Sequence, residues 1–185
     1  ADIFVANDGA GNYLWQNDGR GRFEEMGLLA GVAFNLRGDA RGNMGVDAAD
    51  YDGDGKLDCF VTAYQTQGAA LFRNVGQGLF EDVTLSTRAA TGTVPHVTWG
   101  CAGADFDNDG ARDVFVACGH LLDNVDLFDD STSYQARNVL LRNVAGKFVD
   151  VSADSGDGMA VKFSSRGGAV DDLDNDGRLD VIVLN

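Results

Sequence analysis

One nine-residue pattern occurs three times in the chain, and each copy is followed by an apolar run. The pattern is Asp-x-Asp-x-Asp-Gly-x-x-Asp, and its copies span residues 50–58, 105–113 and 172–180. Four carboxylates so close together repel one another unless a hard cation lies among them, and Ca²⁺ accepts several oxygen ligands with flexible geometry. The pattern therefore predicts three Ca²⁺ loops, each turning sharply at the glycine in position six.

Each loop is expected to bind its ion through the carboxylates of positions one, three, five and nine and the backbone carbonyl of position seven. Three solvated acidic turns are the alternative, and the identical spacing of the copies argues against it. The predicted metal-binding residues are Asp50, Asp52, Asp54, Lys56 and Asp58 in the first loop, Asp105, Asp107, Asp109, Ala111 and Asp113 in the second, and Asp172, Asp174, Asp176, Arg178 and Asp180 in the third.

A helical calcium module of the EF-hand type is the main structural alternative. Its loop needs a bidentate Glu at position twelve and a helix after it. Position twelve is Val61, Val116 and Val183 in the three copies, and the residues after each loop are β-branched or aromatic. Such residues favour strands, so the loops are predicted to lie within β-hairpins, closed by the aspartate at position nine.

A second signature recurs further along each unit and indicates another hairpin. It reads Leu-x-x-Asn, then a glycine-containing turn and Phe, and it begins at Leu14, Leu71 and Leu140. Asp2 also precedes an apolar run, and we interpret it as the last ligand of an earlier loop. Each unit thus has four strands, as a propeller blade does.

The predicted fold is all-β, a β-propeller of four-stranded blades, with residues 1–185 forming a single propeller segment. About three blades are too few to close a ring, so the segment is predicted to be an arc of a larger, seven-bladed ring. The remaining blades would come from the parent chain or from another chain. The predicted complete blades are 42–88 and 97–153, and the partial blades are 2–27 and 164–185.

The residues around the second loop, 99–116, resemble FG-GAP (VCBS-type) repeats, which also form integrin α-subunit propellers. Gly119–His120, Tyr134–Asn143 and Ser165–Asp176 resemble bacterial ASPIC/UnbV proteins, which belong with the cartilage acidic protein family. This resemblance implies a calcium-binding protein of the cell envelope or the extracellular space, mostly without assigned catalysis.

Charge and hydropathy restrict the partners. The net charge of −15 argues against binding to nucleic acid or to anionic membrane surfaces. No apolar run is long enough to insert into a membrane, and the chain opens within a strand pattern rather than a signal peptide. Because extracellular calcium modules bind with dissociation constants of about 10⁻⁴ to 10⁻³ M, we expect an extracellular, cell-surface or periplasmic location.

Blade topology places the calcium loops on one rim and the long connections on the other, where ligands are expected. A protein or a glycan could bind there. We favour a non-catalytic scaffold or binding and adhesion module; the alternative is part of a calcium-dependent polysaccharide lyase with a Lys or Arg base. The segments of this opposite rim are 28–41, 63–70, 89–96, 154–163 and the insertion 119–137.

Few residues suggest catalysis. The only lysines are Lys56, Lys147 and Lys162, and His96 and His120 form no recognisable catalytic set, so the lyase alternative is disfavoured. His120 is expected to hydrogen-bond within its own insertion. The residues considered for an acidic glycan are Arg37, Arg41 and Arg166, and those considered for a further cation or a solvated acidic surface are Asp123, Asp126, Asp129 and Asp130.

The sequence leaves two interpretations of Cys101 and Cys118 open, a disulfide or two free thiols. Cys101 and Cys118 flank the second loop and are expected to fall nearly opposite each other in the hairpin. A cross-strand disulfide and two buried free thiols are both compatible with that placement, although cross-strand bridges are strained. Cys59 has no evident partner.

Overall fold

The computed structural model describes residues 1–185 and consists mainly of antiparallel strands joined by tight turns. Helices are limited to single turns: α1 (Gly27–Ala30), α2 (Thr84–Thr87), α3 (Asp157–Ala160) and 3₁₀ turns at Val125–Leu127 and Ser152–Asp154. The strands are β1 (Ile3–Val5), β2 (Asp8–Ala10), β3 (Tyr13–Asn17), β4 (Phe23–Glu25), β5 (Arg41–Ala49), β6 (Asp58–Ala63), β7 (Ala70–Gly76), β8 (Leu79–Asp82), β9 (Thr98–Ala104), β10 (Asp113–Cys118), β11 (Ala136–Arg137), β12 (Val139–Val144), β13 (Lys147–Asp150), β14 (Lys162–Phe163), β15 (Gly167–Asp171) and β16 (Asp180–Leu184).

Most strands pair with their neighbours in the sequence. The sheets are β1-β3-β4, then β5-β6-β7-β8 with β2 added beside β5, then β9-β10-β12-β13, and finally the hairpin β15-β16. The all-β class is therefore confirmed, and the hairpins predicted from the Leu-x-x-Asn signature are β3-β4, β7-β8 and β12-β13.

Three short strands were not predicted, and each joins neighbouring units. β2 leaves the first unit and pairs with β5 of the second, where Asp8 lies opposite Gly42. β11 and β14 pair with each other on the rim away from the acidic loops, where Arg137 lies opposite Lys162. Each has only two or three residues, too few for an apolar alternation to identify them.

Both faces of the central strands are covered. Every residue of β6 is buried, and successive side chains point to opposite sides. Phe60 packs on Phe148 of the following sheet with ring centroids 6.1 Å apart, whereas Val61 joins the core that contains Leu14 of the preceding sheet. Burying each such side chain contributes about 1.5–3 kcal/mol. This two-sided packing explains the continuous apolar run after each acidic loop.

The strands that lead into the acidic loops line the inner side of the arc, because β5 contacts β9 and β9 contacts β15. This approach is close at Gly100, where an added Cβ would lie 3.1 Å from the carbonyl oxygen of Arg166. A larger residue there would separate the two sheets.

The cysteines are free thiols, so the disulfide reading is wrong. Cys101 lies opposite Val116, and Cys118 lies opposite Thr98, because a bulge shifts the register of β9 and β10 between them. Burial raises the pKa of the Cys118 thiol to about 12, and that of Cys59 to about 12. Thiols that stay protonated at neutral pH are packing residues rather than nucleophiles.

Candidate functional site

The three acidic loops connect β5 to β6, β9 to β10 and β15 to β16, so each lies at the end of a hairpin. The position-one carboxylate organises each loop by accepting backbone N–H groups from the turn. Asp50 accepts from Gly55 at 2.8 Å, Asp105 from Gly110 at 2.9 Å and Asp172 from Gly177 at 2.9 Å. These glycines, at position six, have φ of +85°, +91° and +85°, the left-handed region that glycine adopts readily.

The same three positions converge in every loop. One carboxylate oxygen from each of positions one, three and nine lies within 4.8 Å of the other two. Each group of three oxygens is close enough to hold a metal ion after small side-chain movements, and carboxylates suit a hard cation such as Ca²⁺. The three triads are Asp50, Asp52 and Asp58; Asp105, Asp107 and Asp113; and Asp172, Asp174 and Asp180.

Position five lies outside each triad and turns toward position seven. Asp54 accepts the Lys56 N–H at 2.9 Å and forms an ion pair with the Lys56 side chain. Asp176 does the same with Arg178, whereas Asp109 accepts only the Ala111 N–H, at 2.8 Å. To bind an ion of the triad, the position-five carboxylates of the first and third loops must first leave these cationic side chains.

The position-nine carboxylate connects its loop to the second hairpin of the same sheet. Asp58 accepts the Asn74 N–H at 2.8 Å on one oxygen and the Tyr51 N–H at 3.1 Å on the other. Asp113 makes the equivalent contacts at the same distances. Both aspartates are almost fully buried, and this burial raises the pKa of the Asp58 and Asp113 carboxyls, while the two hydrogen bonds oppose the rise.

The asparagines of the Leu-x-x-Asn signature support the loops, a role that we did not assign from the sequence. Besides their N–H contacts, the Asn74 amide donates to the Leu57 carbonyl at 3.1 Å, and the Asn143 amide donates to the Tyr51 carbonyl of the neighbouring sheet at 2.8 Å. The recurrence of Asn at the fourth position of the signature is the sequence feature from which this supporting role could have been predicted. Asn17 donates to Asp2 at 2.9 Å, the same contact as in the other units.

The third loop is less enclosed. Asp180 is only partly buried, and it accepts one backbone hydrogen bond, from Leu173 at 3.1 Å. The chain supplies no second hairpin beside β16. The position-nine carboxylate is thus held by two N–H groups in the first and second loops and by one in the third.

The opposite rim is a folded surface around the insertion 119–137. His120 is buried; its Nδ1 accepts the Leu122 N–H at 3.0 Å, as expected for a residue that hydrogen-bonds within its insertion, and its Nε2 lies 3.1 Å from the Tyr64 hydroxyl. Arg166 lies 4.5 Å above the Trp99 ring and donates to the His120 carbonyl at 2.9 Å.

Two of the three arginines considered for a glycan are occupied within the fold. Arg41 is buried and donates to the carbonyls of Gln67 and Gly68, and Arg166 holds the insertion as described. Arg37 remains exposed.

The acidic residues of the insertion do not converge on a common point. Asp126 accepts the Tyr134 N–H at 3.2 Å, and Asp129 bonds to Ser131 and to Gln65. The three acidic groupings capable of holding a metal ion are those of the repeated loops, so the insertion aspartates are interpreted as an acidic surface.

A family model described as an FG-GAP-like repeat matches residues 1–61 and 50–116, which together make up more than half of the chain. The chain belongs to the FG-GAP-like repeat family. Cartilage acidic protein 1 is similar over 99% of this FG-GAP-like chain, with 28% identity for the mouse protein and 26% for the human protein. The resemblance noted from the sequence is thereby confirmed. The chain spans 26% of the length of these relatives.

Among solved structures, a lectin from Agrocybe aegerita described as recognising non-reducing terminal N-acetylglucosamine matches 99% of this FG-GAP-like chain and 46% of its own length. The TM-score is 0.51 at 19% identity, so the likeness concerns the fold alone. Together with the curved series of sheets, it confirms the predicted arc of a β-propeller. The helices are single turns, and none has the length or apolar character needed to cross a bilayer.

Proposed function

We propose that this FG-GAP-like chain is a calcium-stabilised, non-catalytic binding module of an extracellular, cell-surface or periplasmic protein. The observation that carries the proposal is the threefold recurrence of one carboxylate triad, each in its own hairpin and built only from oxygen donors. The family supports an extracellular repeat protein, and the ligand sets are the fifteen residues predicted from the sequence.

The ions would be structural. Each triad lies at the end of its own hairpin, and in the first two units its position-nine aspartate is also bonded to the second hairpin of the sheet. Closing these two loops with Ca²⁺ would fix the relative position of strands one to four in the first two units. Ligands would then be bound by the opposite rim, whose segments differ from blade to blade.

The arc would be completed by further blades into a seven-bladed ring. In that ring, residues 42–88 and 97–153 would form complete blades, and residues 2–27 and 164–185 would contribute to partial ones. The 26% share of the relatives that the chain spans agrees with a longer parent protein. The missing strands would pair with β1 and β16.

Calcium dependence is the decisive test. At a tenfold excess over the dissociation constant, mass action stabilises a fold by about 1.4 kcal/mol per site, so three sites would contribute about 4 kcal/mol, much of a small domain's stability. We expect metal analysis of dialysed protein to return three Ca²⁺ per chain, and thermal melts to shift strongly downward in excess chelator. A shift of less than about two degrees, or protein without bound calcium, would refute the proposal.

A further inference from the structure

The opposite rim contains a cleft in which basic residues gather, although the chain as a whole is strongly acidic. The cleft has a volume of about 410 Å³, large enough for one or two sugar units, and it lies between the insertion, the turn at Pro95–His96 and β14. Arg137 and Lys162 line it together with His96. A neighbouring depression of about 250 Å³ shares His96 and Arg137, so the two form one continuous surface.

The pairing of β11 with β14 places two cations directly opposite each other. Arg137 and Lys162 are partners in the register, and like charges in that position destabilise a pair of strands. Neither side chain takes part in an ion pair or a hydrogen bond, and the four ion pairs of the structure involve other residues. Asp130 also lines the cleft without forming such a pair. The fold therefore holds two cations without an ion-pair partner side by side, with the carboxylates of Asp130 and Asp150 further along the same surface.

The rest of the lining is suited to a hydroxylated ligand. Three consecutive residues with hydroxyl side chains, Ser131, Thr132 and Ser133, line the cleft, and most of its other lining residues are also polar. Burial lowers the pKa of His96, outweighing the opposite influence of Asp150, so the imidazole is neutral at neutral pH. Hydroxyls and a neutral imidazole can exchange hydrogen bonds with sugar hydroxyls.

The cleft is formed in advance of binding. The insertion is fixed by the His120 N–H bond to the Tyr134 carbonyl at 2.9 Å, by the Gln65 bond to Asp129 at 3.1 Å and by the buried Val125. Pre-formed polar sites bind with a smaller entropic cost than disordered loops.

From this geometry we propose that the cleft binds an anionic saccharide, with its carboxylate or sulfate group between Arg137 and Lys162 and its hydroxyls on the Ser131–Ser133 segment. The inference rests on the proposed function, since it names the ligand class of the rim that the binding module would use. Of the arginines considered from the sequence, Arg41 and Arg166 are occupied within the fold and Arg37 is exposed, whereas Arg137 and Lys162 line the cleft.

Titration calorimetry of the calcium-loaded 185-residue chain tests the proposal. The probes are a galacturonate tetrasaccharide, which carries carboxylates, a heparin-derived tetrasaccharide, which also carries sulfates, and neutral chitotetraose. We expect at least one acidic probe to bind with an affinity that falls as salt is added, and chitotetraose to bind at least about tenfold more weakly. The acidic probe that binds identifies which anionic group the cleft prefers.

Two double variants locate the binding. Arg137→Gln with Lys162→Gln should weaken the acidic probe at least about tenfold, because two charge-assisted contacts are lost. Arg22→Gln with Lys147→Gln removes the same charge from exposed positions beside the β3-β4 and β12-β13 turns, and it should retain wild-type affinity. Circular dichroism in calcium establishes that both variants are folded.

Equal losses in the two double variants, or equal binding of acidic and neutral probes, would overturn the inference. If neither acidic probe binds while calcium still stabilises the chain, the inference fails and the proposed function stands. Cleavage of the galacturonate probe would uphold the cleft but refute the non-catalytic role. If calcium does not raise the stability of the chain, the proposed function is refuted, whichever probe the cleft binds.

Discussion

On one rim of the arc the same nine-residue loop recurs three times, whereas on the other rim the connecting segments differ in length and sequence. The repeated rim gathers carboxylates into three triads. The variable rim instead leaves Arg137 opposite Lys162 in a polar cleft. Repetition accompanies the structural role proposed for every loop, and variation accompanies the proposed ligand site.

The two rims also cluster charges of opposite sign. We expect the clustered carboxylates of the acidic loops to repel one another without an ion, and a bound Ca²⁺ would replace that repulsion by attraction. Arg137 and Lys162 would likewise repel each other until an anion binds between them. The acidic loops occur three times and the cationic pair once, so we expect the loops to affect the stability of the chain more.

The largest expected effect comes from replacing Asp113 of the second loop, and it is compared with the effect of replacing Asp107 of the same loop. Asp113→Ala removes a proposed metal ligand and leaves the N–H groups of Asn143 and Phe106 without their acceptor. We expect the free energy of unfolding to fall by about 3 kcal/mol in calcium, with about half of that loss persisting in chelator, as measured by urea titration.

Asp107→Ala is the matched control, because Asp107 belongs to the same triad but is exposed, and its contacts are weak: a 3.3 Å hydrogen bond from the Asp109 N–H and a 3.9 Å ion pair with Arg142. It should cost about 1.4 kcal/mol in calcium and nothing in chelator, since its removal relieves repulsion. Equal losses for both variants in chelator would show that Asp113 does not link the loop to the second hairpin.

The contrast between the rims also explains what the sequence predicts well. The loops, their hairpins and the blade pattern follow from local spacing, and the three triads join residues within nine positions of each other. The contacts of Asn74 and Asn143 with the position-nine aspartates were missed because they cross from one hairpin to the next, although the asparagines themselves recur visibly.

The variable rim could not be predicted in the same way. Arg137 and Lys162 are separated along the chain, and they meet only because two-residue strands pair across an insertion. Neither strand has a periodic pattern. The register of β9 and β10 was likewise misjudged, because a bulge displaces Cys118 from the position opposite Cys101.

A smaller effect on the variable rim tests whether its insertion is as firmly packed as the structure indicates. An added Cβ at Gly119 would lie 2.6 Å from the Cα of Ser164, so Gly119→Ala must displace backbone. We expect a loss of about 1–3 kcal/mol in unfolding free energy, both with and without calcium. Gly158→Ala is the control, because its Cβ would meet no atom within 4 Å. If both variants match the wild type, the insertion is loosely held, and the cleft is not formed in advance.

The smallest expected effect is a gain rather than a loss. Because Arg137 and Lys162 repel each other across β11 and β14, Arg137→Gln should raise the free energy of unfolding by about 0.2–1 kcal/mol in the absence of saccharide. The gain should shrink at high salt, where exposed charges are screened, while Arg22→Gln should show no comparable gain. Differential scanning calorimetry in calcium at low and high salt measures both. A loss of stability in Arg137→Gln would mean that the guanidinium is already neutralised within the fold, and the cleft would then have no free charge to offer an anion.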